Sequence, residues 1–299
     1  EEVQGDVQGG RRHGVRGYRP AAPHRRQRRS TVPRVPSVLR HPWIEPVVAR
    51  ALRARLTTSP VRFFVRDAQG HGVYAYTVRS TGRRLLLEHG TPDIAAFDQA
   101  YYSAQFTPTA HAAAALRALG RPLVALDLGA NIGMFSVWLA STFDVAAITA
   151  VEPLPRNARQ LRANLQRAIP EVRTVVVEAA ATAHDGELTF GGGDFTTGRI
   201  GGGGGGDGAV TVKARDAFAL AAGVDLLKID IEGAEWDLVA DPRFAQLTNP
   251  VVMFEHHPHG APGDPAAAAT QALEHAGYVV EAAENHADGT GVLWGVRAG

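Results

Sequence analysis

The chain has 299 residues, 45% of them hydrophobic and 20% charged, with a net charge of +1 and no cysteine. This is enough for one sizeable α/β domain with extensions. It excludes a disulfide framework and a thiolate metal site, and no apolar run approaches the ~20 residues of a membrane-spanning helix.

The charge is unevenly spread. Residues 1–41 carry ten arginines against three acids, Glu1, Glu2 and Asp6, so the rest of the chain is net acidic. A net acidic body argues against a nucleic-acid binder. The Arg-, Gly- and Pro-rich head is expected to be a disordered arm, since such a composition cannot bury a core. It lacks the apolar centre of a secretory signal. No Met precedes Met134 and the basic residues are almost all arginine, so upstream sequence read from a misplaced start is the favoured explanation of the head. A cytoplasmic protein with no membrane insertion is expected.

Residues 42–110 read as a lead-in. Ile44, Val47, Val48, Ala51, Leu52 and Leu56 have helical spacing. Residues 61–65, 73–78 and 84–87 read as strands, with glycine-containing turns at 70–72 and 80–82. These strands are expected to pack on one edge of the main sheet. Phe97, Tyr101, Tyr102 and Phe106 read as core.

Residues 111–299 alternate strand and helix. Strands are expected at 123–128, 147–152, 173–179, 225–231, 250–256, 277–282 and 291–297, and helices at 133–142, 155–168, 235–240 and 265–276. Alternation of this kind builds a doubly wound, mainly parallel sheet with helices on both faces.

Three sites on this frame carry chemistry. The first is the run from Val124 to Gly133, an apolar strand that ends in Asp127 and a Gly129-Ala130-Asn131-Ile132-Gly133 turn. The glycines leave room for a ligand, and Asn131 tolerates a left-handed backbone. The amides of the following helix start can hold a negative group. The second is Glu152, which ends the next strand about 20 residues on, where an acid accepts hydrogen bonds from ribose hydroxyls. The third is Asp230, Glu232 and Glu235 after a buried strand, three carboxylates at one rim of the sheet.

Dinucleotides and S-adenosylmethionine both use such a layout. Asn131 stands where a dinucleotide turn needs glycine for the pyrophosphate. Asp127 suits the ammonium of a methionine moiety, so S-adenosylmethionine is favoured.

The chain resembles the FkbM family of S-adenosylmethionine-dependent methyltransferases. The resemblance rests on LDLGANIGMFS (126–136), AVEPLPRNARQLRANL (150–165), EAAATAHDGELTF (178–190), LLKIDIEGAEWDLV (226–239) and VVMFEHH (251–257). It implies a class I, Rossmann-like methyltransferase fold of seven strands with an antiparallel last strand. It also implies a cofactor site that takes in Asp127, Gly129, Ala130, Asn131, Gly133, Glu152, Pro153, Ala180, Ala181 and Asp230. The glycine-rich stretch 191–209 departs from the family pattern. It reads as a tolerated mobile loop, with Asp194, Phe195 and Arg199 able to touch substrate on closure.

Methyl transfer to a hydroxyl needs a general base. The candidates are Asp230, Glu232, His256 and His257, with Glu235 and Glu255 beside them. Lys228 shares a strand face with Asp230, and an ion pair explains it. No metal site is assigned, because no spacing is diagnostic. A divalent ion on Asp230, Glu232, Glu255 and His257 is the less favoured variant. The expected reaction is O-methylation of a sugar, polyketide, other secondary metabolite or glycan. A non-catalytic cofactor-binding protein and an NAD-dependent oxidoreductase are the alternatives.

Overall fold

The computed structural model describes residues 45–190 and 210–298, which lie within the compact unit Val32–Gly299. The head 1–41 and the stretch 191–209, with Asp194, Phe195 and Arg199, fall outside the described residues.

The chain opens with helices α1 (Glu45–Ala54) and α2 (Pro60–Gln69), hairpin strands β1 (Val73–Thr77) and β2 (Arg84–Glu88), and helices α3 (Asp93–Tyr101) and α4 (Ala110–Ala118). Next come β3 (Leu123–Leu128), α5 (Met134–Thr142), β4 (Val145–Val151), α6 (Pro155–Ala168) and β5 (Arg173–Val177). Then follow β6 (Ala180–Thr182), β7 (Gly186–Phe190), β8 (Val210–Asp216), α7 (Ala217–Ala221), β9 (Leu226–Ile229) and α8 (Glu235–Ala240). The chain finishes with β10 (Val251–His256), α9 (Pro265–His275), β11 (Tyr278–Asn285) and β12 (Gly291–Arg297).

Seven strands form one sheet in the order β11-β12-β10-β9-β3-β4-β5. The five from β10 to β5 run parallel, and β12 is antiparallel to both β10 and β11. This is the class I, Rossmann-like methyltransferase sheet. Its central strands are buried on both faces, which is why they read as unbroken apolar runs. One core lies on the side of α5 and α6 and includes Phe135, Val137, Leu161 and Met253. The other lies on the side of α8 and α9 and includes Trp236, Phe254, Ala269 and Leu273. Among the described residues no helix is long and apolar enough to cross a membrane.

The lead-in differs from its expected form in two ways. Residues 61–65, read as a strand, belong to α2. Pro60 opens that helix, Gly70 closes it in a left-handed conformation, and Phe63 alone of its residues is fully buried. Val61 and Val65 face solvent, so the apolar alternation was one buried helical position flanked by exposed valines. The hairpin also packs on a helix, α6, rather than directly on the sheet edge, and forms a two-stranded sheet of its own. It lies across α6, where Asn164 Oδ1 accepts from the Leu86 amide at 2.7 Å and Gln160 Nε2 donates to the Leu86 carbonyl at 3.0 Å. The polar positions of α6 therefore hold the lead-in, while Leu161 and Leu165 face the core.

Order β9-β3-β4 puts the reversal of strand order between β3 and β9. The crevice for ligands lies beyond the carboxyl ends of strands at such a reversal.

Candidate active site

Two loops meet at this point. After β3 the chain passes through three left-handed residues, Gly129 (φ 75°), Asn131 (φ 48°) and Gly133 (φ 89°). After β9 it turns through Asp230 to Gly233, with Glu232 at φ 57°. The turn conformation at Asn131 is as expected, and the chain's own atoms already require glycine at 129 and 133. A Cβ at Gly129 would stand 1.6 Å from the Asp230 carbonyl oxygen, and one at Gly133 would stand 2.8 Å from Leu161 Cδ1. The nearby amides are also engaged. Those of Gly129 and Ala130 both donate to the Val151 carbonyl, and that of Asn131 donates to Glu152 Oε2 at 2.9 Å.

Glu152 follows β4 and joins the glycine turn to the start of α6. Its Oε1 accepts from the Leu154 amide at 3.0 Å and from Asn157 Nδ2 at 3.4 Å. Burial pushes its carboxyl up to about 7, against these hydrogen bonds. Each carboxylate oxygen has two acceptor positions, so the group retains capacity for further donors. Pro153, the next residue, is half-buried, and Ala180 and Ala181 are buried on β6, which pairs with β8 in a separate sheet.

Asp127 does not open onto the crevice. It is fully buried, accepts from Ser136 Oγ at 2.7 Å and lies 3.1 Å from Lys228 Nζ. Lys228 is its register partner on β9. The same ammonium lies 3.0 Å from Asp230 Oδ2 and donates to the Gly129 carbonyl at 3.1 Å. Burial opposes the Lys228 charge, but Asp127 and Asp230 outweigh it and hold the pKa above the ordinary lysine value. The cation expected on Asp127 from a ligand is thus supplied by the chain.

Asp230 also faces His257, whose Nε2 is 4.0 Å from Asp230 Oδ1 and 3.6 Å from Glu232 Oε2. On the other side of the ring, Nδ1 donates to Glu235 Oε1 at 2.9 Å. The Glu235 carboxylate is fully buried, accepts the His257 amide at 2.9 Å and accepts the Gly233 amide at 2.7 Å. Trp236 Nε1 donates to the His257 carbonyl at 2.9 Å. Burial lowers the affinity of His257 for a proton, but Glu235 and Asp230 reverse this and push its pKa up to about 9. Glu255 lies two residues before His257 and is buried; burial first, then Asp230, raises its pKa well above the usual carboxylate range.

The structure brings Asp230, Glu232, Glu235, Glu255 and His257 together, but not His256. Glu255 and His256 are consecutive on β10, so their side chains leave opposite faces. His256 Nδ1 lies 3.2 Å from the Gly289 carbonyl, and burial lowers its pKa. Sequence reasoning did not find Ser136 or Phe135, which both pack around the buried ion pair. A serine nine residues beyond an aspartate on a separate element gives no local signal.

An α/β methyltransferase is the class that this sheet and its crest define. The family model for the methyltransferase FkbM domain matches residues 127–280, more than half of the chain. The chain belongs to the FkbM methyltransferase family. It is similar to the crystal structure of methyltransferase FkbM from Methylobacillus flagellatus, with 13% identity and a TM-score of 0.44 over 85% of this chain and 59% of that one. It is also similar to magnesium protoporphyrin IX methyltransferase from Synechocystis with bound SAM, with 12% identity and a TM-score of 0.40 over 68% of this chain and 84% of that one. Among curated proteins it is 41% identical over 76 residues to the AMB antimetabolite synthetase AmbE of Pseudomonas aeruginosa. That segment is 23% of this chain and 4% of the much longer synthetase.

Proposed function

We propose that the protein transfers a methyl group from S-adenosylmethionine to a hydroxyl of a small secondary metabolite, sugar or glycan. The observation that carries this reading is the junction of the glycine turn with the acidic turn at Gly129 and Asp230. It supports the reading because it brings the turn we assign to the nucleoside beside the carboxylates and His257 at the sheet's point of reversal. The residues fit the ribose end of the cofactor, where Glu152 holds unused acceptor capacity. They do not fit Asp127 as the partner of its ammonium, because Lys228 already takes that carboxylate.

When bound, the cofactor supplies a methyl group already activated on a sulfonium. The chain then has to bind, align and deprotonate. Glu152 positions the ribose. Lys228 holds Asp230 by one carboxylate oxygen and leaves the other facing His257. Asp230, Glu255 and His257 would line the approach of the acceptor, the open Asp230 Oδ1 would take the hydroxyl proton as the methyl group transfers, and Glu232, the most exposed carboxylate of the group, would relay that proton to solvent. The 76-residue likeness to an antimetabolite synthetase supports a small-molecule acceptor.

Calorimetry with S-adenosylmethionine, S-adenosylhomocysteine and NAD tests the cofactor half of the proposal. A screen of hydroxylated metabolites with methyl-labelled donor tests the acceptor half. Binding of NAD but of neither methionine compound would overturn the reading.

A further inference from the structure

We infer that Asp230, Glu255 and His257 form a binding site for one divalent transition-metal ion. The inference deepens the methyltransferase reading, on which it rests for the role of the ion but not for its binding. One oxygen of each carboxylate and one imidazole nitrogen lie within 4.8 Å of one another. Donors about 2.1 Å from a shared ion are at most ~4.2 Å apart, so small side-chain rotations complete the site.

A second observation singles out this trio from an ordinary acidic cluster. Glu255 is only 7% exposed, and among the described residues no direct hydrogen bond or ion pair to its carboxylate is found; the charges of His257 and Lys228 act on it only from farther off. A buried carboxylate without a partner is costly, and the costs of burial are met by pairing or by metal coordination. The other carboxylates at this rim have direct partners. Glu235 takes three hydrogen bonds. Asp230 is held by Lys228 at Oδ2, which leaves Oδ1 on the side of His257.

The histidine is arranged as a ligand. The Glu235 carboxylate holds His257 Nδ1–H at 2.9 Å, so the nitrogen facing Asp230 and Glu232 is Nε2. A carboxylate behind the imidazole is the usual support of a metal-bound histidine, fixing both tautomer and ring direction. Charge supports the same conclusion. Asp127, Asp230, Glu232, Glu235 and Glu255 gather around one lysine ammonium and one imidazole. One imidazole nitrogen and two carboxylate oxygens suit a borderline dication such as Zn²⁺ better than Mg²⁺ or Ca²⁺, and Mn²⁺, which accepts the same donors, serves as its paramagnetic probe.

The test uses the full chain stripped with a chelator and dialysed. Mn²⁺ is titrated in, and the free ion is followed by its electron paramagnetic resonance signal. The expected result is one bound Mn²⁺ per chain, displaced by Zn²⁺ but not by equimolar Ca²⁺. Glu255→Gln and Asp230→Asn should each weaken binding at least tenfold while the circular dichroism spectrum is kept. The wild-type titration stands even if a variant does not fold. No stoichiometric Mn²⁺ or Zn²⁺ binding by the wild type would overturn the site, as would unchanged affinity in a folded Glu255→Gln protein. Calorimetry with S-adenosylmethionine on the stripped chain separates the two readings. Cofactor binding with no metal bound would sink the metal site alone, and metal binding with no cofactor affinity would sink the methyltransferase reading alone.

Discussion

The carbonyl oxygen of Asp230 occupies the space that a Cβ on Gly129 would need, at a separation of 1.6 Å. One glycine thus lets the turn after β3 close onto the turn after β9, and so places the two halves of the site. Gly129 also has φ 75°, which strains any L side chain. Gly129→Ala should therefore destabilise the fold by about 3–5 kcal/mol, from overpacking together with a left-handed non-glycine residue. Urea unfolding measures it. A loss under about 1 kcal/mol would mean that the two turns can separate freely. The damage should appear in the cofactor-free protein, because the obstruction is the chain's own backbone.

Much of this site was legible in the sequence. Gly129, Asn131 and Glu152 show themselves through local spacing, because a tight turn and a strand-end acid are each written within a few residues. Asp230 and Glu232 show themselves in the same way. The partners of Asp127 and His257 were not legible as partners. Lys228 reaches Asp127 across a strand pairing about 100 positions away in the chain, and Glu235 reaches His257 between a helix start and a strand end. His256 and His257 look equivalent in a string of letters, and only the pleat of β10 separates them. Residues 61–65 look like a strand for a similar reason, since Val-x-Phe-x-Val fits one until Pro60 and Gly70 are read as helix bounds.

Lys228 is the counter-charge for a carboxylate with no contact with water. Lys228→Met should leave Asp127 as an uncompensated buried charge and cost about 3–5 kcal/mol. Adding Asp127→Asn should recover most of that loss, since the amide oxygen can still accept from Ser136. A chemical-denaturation comparison of single and double variants checks this. A single variant within about 1 kcal/mol of wild type, or a double variant no better than the single, would count against the pair.

Glu152 should leave a mark on stability as a function of pH. Its pKa in the folded protein is raised from 4.5 to about 7 by burial. A group whose folded pKa is raised contributes stability that is complete below its unfolded pKa and is lost as pH rises through the folded one. The loss should run from about pH 4.5 to about pH 7 and amount to roughly 3 kcal/mol. Glu152→Gln removes the titration, so the wild-type-minus-variant difference should fall across that window and be flat above it. A difference that is level from pH 4.5 to pH 8 would show that the carboxyl titrates normally. Glu152→Ala should in addition weaken S-adenosylmethionine binding by roughly 1.5–3 kcal/mol, the range for a hydrogen bond to a charged group.

Asp230 separates a catalytic crest from a merely structural one. Its Oδ2 is bound to Lys228 and its Oδ1 faces His257, so it is held from one side and open on the other. Asp230→Asn keeps the shape and removes the charge. If the open oxygen acts on the acceptor, the variant should lose turnover by about 10² or more, the usual scale for a misplaced proton-transfer group. Its affinity for S-adenosylmethionine should change less than threefold. The split follows because an interaction made chiefly in the transition state alters the rate and spares ground-state binding. If Asp230 only balances Lys228, the variant should instead lose stability while kcat per folded molecule holds. Measuring kcat, cofactor Kd and the unfolding midpoint on one preparation distinguishes these outcomes. Wild-type turnover in a folded Asp230→Asn protein, with an acceptor that the wild type methylates, would remove Asp230 from the reaction.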